Sequence, residues 1–222
     1  MKTFTLVAVF FVSLIISYQT VAQKVLTDGM LKYDISIESA NGEKQISGSL
    51  NGATLSVYLT KDKSRSDMLS TPGTETTVYD NKSGRGFILK EYSGQKLMIT
   101  TTADNWAQKN QVNSNLNFEV QAGITNIVGY NCKKAVAKSE NGKTYTVYYD
   151  PSIVIANKQY NNAFSQLPGL PVQYELSSGN LLFKYTLTGM NMDILSGIKF
   201  EAPKAGFRVM SYEENQQLKK GE

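Results

Sequence analysis

Histidine is absent from the 222-residue chain, and cysteine and tryptophan occur once each. The lack of histidine removes the commonest general base and the commonest metal ligand. A single cysteine, Cys132, excludes a disulfide within the chain, so the hydrophobic core alone must stabilise the fold. The sequence also lacks phosphate-loop, nucleophile-elbow and catalytic-triad patterns. We therefore expect a protein that is not an enzyme and that binds no metal or cofactor.

Long apolar runs are missing except at the N-terminus. Lys2 precedes the apolar stretch from Phe4 to Ile16, and small residues lead up to Ala22. This pattern is typical of a cleaved signal peptide, and the stretch is shorter than the roughly 20 residues that span a bilayer. No cysteine lies near the cleavage point, so the chain should not become an acylated lipoprotein. We expect a signal peptide at 1–22, a single β-rich domain at 23–222 and no stable membrane anchor after cleavage.

The chain carries only a mild excess of positive charge. The net charge is +4, and lysine and arginine are scattered along the chain instead of being gathered in one segment. A nucleic-acid interface requires basic residues concentrated on one face. The sequence therefore predicts no nucleic-acid partner.

Alternation of apolar and polar residues with a period of two recurs along the chain. Leu31, Tyr33, Ile35 and Ile37 alternate with polar residues, and the segment from Leu181 to Leu187 repeats the pattern. Such strands form an antiparallel sheet with one buried and one wet face. Further strands are predicted to include a polar, possible edge strand at Lys61–Ser70 and a strand at Asp193–Glu201.

About ten such strands and at most three short helices leave too few helices to cover the sheet. The two interruptions are 103–115, which contains Trp106, and 157–171, where Tyr160, Phe164 and Leu167 have helical spacing before Pro168. Ser211 followed by Glu214 predicts a capped C-terminal helix. A closed barrel, a two-sheet sandwich and a curved open sheet all remain open. The two interruptions favour a mainly β fold with a strongly curved sheet or half-open barrel and a few short helices.

The centre of the chain carries a further signal. Ile127-Val128-Gly129-Tyr130-Asn131-Cys132-Lys133-Lys134-Ala135 is followed by the strand Tyr145–Tyr149 and by Leu167-Pro168-Gly169-Leu170. These segments resemble the exported family named for its Gly-Leu-Pro-Gly-Leu-Ile signature, or a neighbouring uncharacterised family. Gln166 and Pro171 depart from the signature at its first and last positions. The resemblance implies a periplasmic protein of the cell envelope, without naming an activity.

The overall layout, which ends in Pro203 and Gly206-Phe207-Arg208-Val209, also resembles the periplasmic lipoprotein carriers. That resemblance implies a half-open barrel with a helical plug that holds acyl chains. Apart from this resemblance, large apolar side chains could line a cavity, and methionine adapts to varied lipids; the candidates are Met98, Trp106, Phe164, Leu167, Leu170, Phe183, Met190 and Met192. The simpler interpretation is that these residues fill the core.

Three functional hypotheses follow from the sequence. The first is a non-catalytic protein that binds a lipid or acylated ligand against the curved sheet. The second is an interaction module for an envelope protein partner, offering an edge strand at Lys61–Ser70 for strand addition. The third is an enzyme using Cys132, although a buried, inert thiol is the simpler interpretation because the chain has no histidine to act as its base.

Overall fold

The computed structural model describes residues 23–39, 52–111, 114, 116–139, 142, 144–178, 181–193 and 196–220. The predicted signal peptide at 1–22 lies outside them. The strands, numbered in chain order, are β1 (Lys24–Leu26), β2 (Gly29–Ser39), β3 (Ala53–Leu59), β4 (Lys63–Ser70), β5 (Gly73–Asp80), β6 (Arg85–Tyr92), β7 (Gln95–Thr101), β8 (Glu119–Val120), β9 (Thr125–Ile127), β10 (Tyr130–Lys138), β11 (Thr144–Asp150), β12 (Ile153–Ile155), β13 (Leu170–Ser178), β14 (Leu181–Asn191) and β15 (Arg208–Ser211). The helices are α1 (Ala103–Asn110) and α2 (Tyr212–Lys220), with 3₁₀ turns at Lys158–Tyr160 and Asn162–Phe164.

Thirteen of the strands form one open sheet, in the order β15-β7-β6-β5-β4-β3-β2-β14-β13-β11-β10-β8, with β9 also paired to β10. All of its pairs are antiparallel except β15 with β7. Strands β1 and β12 form a separate parallel pair. The predicted fold class, a mainly β protein with a curved sheet and a few short helices, is confirmed.

The sheet has two faces that differ in what covers them. We call the inner face the one that carries Tyr33, Val57, Tyr79 and Ile99, because the helices and the segment 157–169 pack on it. The opposite side is the outer face, where Phe200 and Phe207, together with other residues, cover a small cluster of Val78, Phe87 and Met98. Both assignments follow from the strand register, which places every second residue on the same side.

The main core lies between the inner face and the segment 157–169, which we call the plug. Phe164 and Leu167 of the plug are buried against Tyr33, Val57 and Val172 of the sheet. The side chains of β1 and β12 join the same core. Helix α2 covers the other end of the inner face, where Tyr212 packs on Ile88, Ile99 and Met210.

The plug ends at a glycine, Gly169, which connects it to strand β13. A Cβ at Gly169 would collide with the carbonyl oxygen of Asp150 and the ring of Tyr149. Any larger residue would therefore push the chain away from β11 just before β13 begins. This close approach gives a physical reason for the glycine of the Leu167-Pro168-Gly169-Leu170 element.

Two predictions about strands are wrong. The segment at Lys61–Ser70 is not an edge, because β4 pairs along its length with both β3 and β5. The described residues of 193–201 contain no strand. Phe200 instead packs on the outer face, and the guanidinium of Arg65 donates to the carbonyl of Lys199 at 2.6 Å. The pairing of β4 with two neighbours and the packing of Phe200 on the outer face both depend on residues far away in sequence. Local alternation of apolar and polar residues does not encode such contacts.

The predicted C-terminal helix is present with its capping box. The backbone N–H of Ser211 donates to the Glu214 carboxylate at 2.7 Å, and the backbone N–H of Glu214 donates to the Ser211 hydroxyl at 3.1 Å. These two bonds satisfy donors that the first turn of a helix leaves free. Helix α1 is capped in the same way by Thr102 and Asn105.

Candidate ligand-binding site on the inner face

A cavity of about 120 Å³ lies between the inner face and the plug. The cavity is lined by both Thr77 of β5 and Tyr174 of β13. Strands β5 and β13 are five positions apart in the order of the sheet. In a flat sheet these strands would lie about 24 Å apart, at roughly 4.8 Å for each pair. Their meeting at one small cavity shows how strongly the sheet curves. The residues lining the cavity are Tyr33, Leu55, Val57, Ser64, Arg65, Ser66, Thr77, Trp106, Tyr160, Asn161 and Tyr174.

Helix α1 places the only tryptophan on this wall. The Trp106 ring stacks on Tyr79 with centroids 4.2 Å apart and an angle of 5° between the planes. The ammonium of Lys109 lies 5.4 Å from the centroid of the indole. Trp106 is only 9% exposed, and within the described part of the chain its Nε1 has no hydrogen-bond partner. The indole is thus fixed in position while its donor is left unsatisfied.

A chain of aromatic rings reaches the cavity at Tyr33 and Tyr174. Tyr174 packs edge-on against Tyr33 at 5.6 Å and against Phe164 at 4.7 Å, and it stacks on Tyr185 at 4.7 Å. The Tyr33 hydroxyl donates to the carbonyl of Pro171 at 2.8 Å. Burial raises the pKa of Tyr33, Tyr160 and Tyr174. These tyrosines therefore stay neutral at physiological pH.

Arg65 brings no charge into the cavity. Ser64 and Ser66 flank it in β4, so strand alternation puts their side chains on the inner face and that of Arg65 on the outer face. Its Nε donates to Asp67 at 2.9 Å, and Thr76 donates to the same carboxylate at 2.7 Å. The cavity lining is therefore polar and uncharged at one end and apolar at Leu55 and Val57.

An apolar strip continues the inner face beyond the cavity. We define it as Leu55, Met68, Leu181, Phe183 and Tyr185, which surround the buried side chains of Ile35, Ile37 and Ala53. All five side chains are only partly buried. Among the described residues, none of the plug or of the two helices belongs to this cluster. The strip adjoins the cavity, since Leu55 belongs to both.

The plug is held over the cavity by a buried asparagine. Asn157 is 3% exposed, and its amide donates to the carbonyls of Thr60 and Lys63, both at 3.2 Å. Its oxygen accepts from the Asn81 amide at 2.7 Å. Within the plug, the ammonium of Lys158 near its start donates to the carbonyl of Leu167 near its end at 3.2 Å. Burial lowers the pKa of Lys158.

The eight residues predicted to line a cavity are spread over several environments. Trp106 lines the cavity and Phe183 lies in the strip. Phe164 and Leu167 of the plug and Leu170 of β13 are buried in the main core, and Met190 packs against that core. Met98 lies on the outer face, and Met192 is 37% exposed after the end of β14.

The polar lining was missed by sequence reasoning. No local motif marks Ser66, Thr77 and Asn161 as a group, and the helical spacing of Tyr160 indicates only its segment; the fold alone brings the four together. Inner-face hydroxyls at strand positions where an apolar residue is expected, such as Ser64 and Ser66, were the one available signal. In the sequence alone, these two serines look the same as the polar residues of an edge strand.

Cys132 is fully buried. Burial and the nearby carboxylate of Asp150 raise the pKa of the thiol to about 11. A thiol in this state is protonated at neutral pH and is a poor nucleophile. Asp150 itself accepts from the backbone N–H and the hydroxyl of Ser152 at 2.8 and 2.7 Å.

In the described part of the chain, no cluster of acidic or cysteine side chains has the arrangement of a metal site. None of the helices in that part is long and apolar enough to cross a membrane.

The chain matches no family model and no curated protein. Its membership of the family named for the Gly-Leu-Pro-Gly-Leu-Ile signature therefore stays a prediction.

Several solved structures are similar to it. They include PNGF-II, with 12% identity over 86% of this chain and 33% of the other and a TM-score of 0.48. MucB has 14% identity over 83% and 60% of the two chains and a TM-score of 0.40. The lipoprotein LppX of Mycobacterium tuberculosis has 9% identity over 78% and 89% and a TM-score of 0.38. The present chain spans about a third of the length of PNGF-II.

Proposed function

We propose that this is an exported, periplasmic protein without catalytic activity whose inner face binds a hydrophobic ligand, a lipid or an acyl chain. The observation that carries the proposal is the apolar strip, a row of half-buried large side chains that continues directly into a cavity. The apolar face of a strand is normally covered in a soluble protein, and a contiguous apolar patch that stays partly uncovered is typical of a binding surface. The predicted signal peptide and the resemblance to the envelope family support the periplasmic location.

Most of the binding energy would come from removing the ligand's methylene groups from water. Each methylene removed from water contributes about 0.8 kcal/mol, so ten methylenes along the strip give roughly 8 kcal/mol before the cost of ordering the chain. Covering the remaining exposed area of Phe183, Leu181 and Met68 adds to this. Micromolar binding corresponds to about 8 kcal/mol, so the burial of the strip must offset the cost of ordering the ligand chain for binding to reach that range.

A pair of matched variants tests the proposal. Phe183→Gln removes a phenyl ring from the strip, whereas Leu69→Gln removes an aliphatic side chain that is 56% exposed on the outer face. We expect the first to weaken binding of a glyceride with a pyrene-labelled acyl chain by roughly tenfold, the equivalent of about 1.4 kcal/mol, and the second to leave it unchanged. Saturable binding should appear as a rise in pyrene emission. Equal affinities for both variants, or no saturable binding by the unmodified protein, would refute the proposal.

A second candidate is an interaction module for an envelope protein. The observation that favours it is the edge of the sheet at β8 and β9, where Val120, Ile124 and Val128 are 49%, 70% and 55% exposed. A photo-cross-linking amino acid at Ile124, in the exporting host, tests it. One defined adduct at this position, and none with the same residue at the exposed Lys82, would support this candidate; a lack of adducts at Ile124 would argue against it.

A further inference from the structure

The cavity is too small to enclose a whole lipid. Its volume of about 120 Å³ lies below the roughly 300–1,000 Å³ of sites that enclose a small molecule. However, Tyr174 of the cavity wall stacks on Tyr185 of the strip, and Leu55 belongs to both. A ligand that occupies both places therefore has one end in the cavity and the rest along the strip.

The cavity end of this path offers hydrogen bonds without charge. Ser64, Ser66 and Thr77 line it from the sheet, and Tyr160 and Asn161 line it from the plug. These are hydroxyl and amide groups, which both donate and accept. The guanidinium of Arg65, the one basic residue on the lining, is engaged on the outer face by Asp67 and the carbonyl of Lys199.

Trp106 adds an independent sign that a polar group belongs here. Its side chain is on the cavity wall, it is more than nine-tenths buried, and its Nε1 donates to no acceptor in the described part of the chain. A buried donor without a partner is unfavourable, and such groups are usually satisfied by a water or a ligand. An acceptor atom in the cavity would supply the missing partner.

We propose, on the basis of the proposed function, that the cavity receives the uncharged, hydrogen-bonding head group of an acyl lipid, such as the glycerol of a monoacylglycerol. The acyl chain then runs along the strip past Phe183. A carboxylate or phosphate in the same place would lose its hydration without gaining a counter-ion, because Arg65 is engaged on the outer face and the ammonium of Lys109 lies on the Trp106 ring, outside the lining. The site therefore selects neutral glycerides over free fatty acids and phospholipids.

The single tryptophan makes this directly measurable. Bromine atoms quench indole fluorescence at short range, so 1-(6,7-dibromostearoyl)glycerol and 6,7-dibromostearate can be titrated against the protein at pH 7.5, below their critical micelle concentrations. Both ligands place the same bromines a few carbons from the head group. We expect the glyceride to quench Trp106 with at least a tenfold lower apparent Kd than the acid.

Each other outcome has a definite meaning. An acid that quenches at equal or lower concentration overturns the head-group inference but leaves lipid binding on the inner face intact. Quenching by neither ligand, together with no binding of the pyrene-labelled glyceride, overturns the proposed function as well. Binding of the pyrene-labelled glyceride without quenching by either brominated ligand places the lipid away from the cavity and overturns the inference alone.

Two isosteric variants of β5 test the hydroxyl lining. Thr77→Val removes a hydroxyl from the cavity wall, while Thr74→Val removes one from the outer face of the same strand. We expect Thr77→Val to weaken glyceride binding by roughly fivefold, as for one lost hydrogen bond, and to leave binding of the acid unchanged. Thr74→Val should behave as the unmodified protein. Glyceride affinity that is the same in both variants would show that the Thr77 hydroxyl does not hold the head group.

Discussion

Replacing Asn157 by alanine should loosen the plug from the sheet. This side chain joins the start of the plug to two turns of the sheet through bonds to Thr60, Lys63 and Asn81. At 3% exposure, the groups that it leaves behind cannot all be satisfied by water. The contact is therefore a structural link between the cover of the cavity and the strands beneath it.

The size of the effect follows from those bonds. Three hydrogen bonds at roughly 1 kcal/mol each give a loss of about 3 kcal/mol in the free energy of unfolding. For a domain of this size, each kcal/mol corresponds to roughly 2–4 °C, so Tm should fall by about 6–12 °C. The exposed Gln159, in the 3₁₀ turn that follows, provides the control, since Gln159→Ala should change stability by less than about 0.5 kcal/mol.

Urea denaturation followed by far-UV circular dichroism measures both variants on the same scale. If Asn157→Ala is as stable as Gln159→Ala, the three bonds do not hold the plug and the reasoning is wrong. If the plug is held as described, Asn157→Ala should also bind the glyceride more weakly, because the cavity loses part of its defined wall.

Three further predictions concern other parts of the molecule. At pH 8 the Cys132 thiol should resist iodoacetamide in the native state and react after denaturation, because its pKa is raised to about 11 by burial; rapid native labelling, read by mass spectrometry, would contradict this. Val128 has φ 45° beside Gly129 in the β9–β10 turn, so Val128→Asn should raise the free energy of unfolding by roughly 0.5–1 kcal/mol, and an unchanged Tm would refute the strain argument. The pKa of Glu213 is lowered by hydrogen bonds from its own backbone N–H and from Asn105. The stability that this carboxylate contributes is therefore present above its pKa in the unfolded chain and is lost as pH falls through the lowered folded value. Glu213→Gln should remove that part of the stability loss below about pH 4.5 in acid unfolding curves, and curves identical to those of the unmodified protein would argue against it.

The features that the sequence predicted are those that depend on near neighbours. The alternation of Leu31, Tyr33, Ile35 and Ile37 is visible because a strand that buries one face requires it, and all four are buried. The capping box of Ser211 and Glu214 is equally local, since both partners lie within one helical turn. The curved sheet followed from counting one-sided strands against the few helices available to cover them.

The features that depend on distant neighbours were not predictable. A polar strand such as β4 looks like an edge until its two partners are known, and its serines then turn out to face a cavity. Met98 is a large apolar residue, as a residue lining a cavity would be, yet the strand register places it on the outer face. The strip and the cavity meet because β5 and β13 approach each other through curvature, which no local pattern specifies.

The most direct test of ligand binding is native mass spectrometry of the protein exported in its own host and purified without detergent. We predict a heterogeneous added mass that organic solvent removes and whose components are identified as neutral acyl glycerides. A clean mass of the protein alone, before and after extraction, from cells that make such lipids would contradict the account.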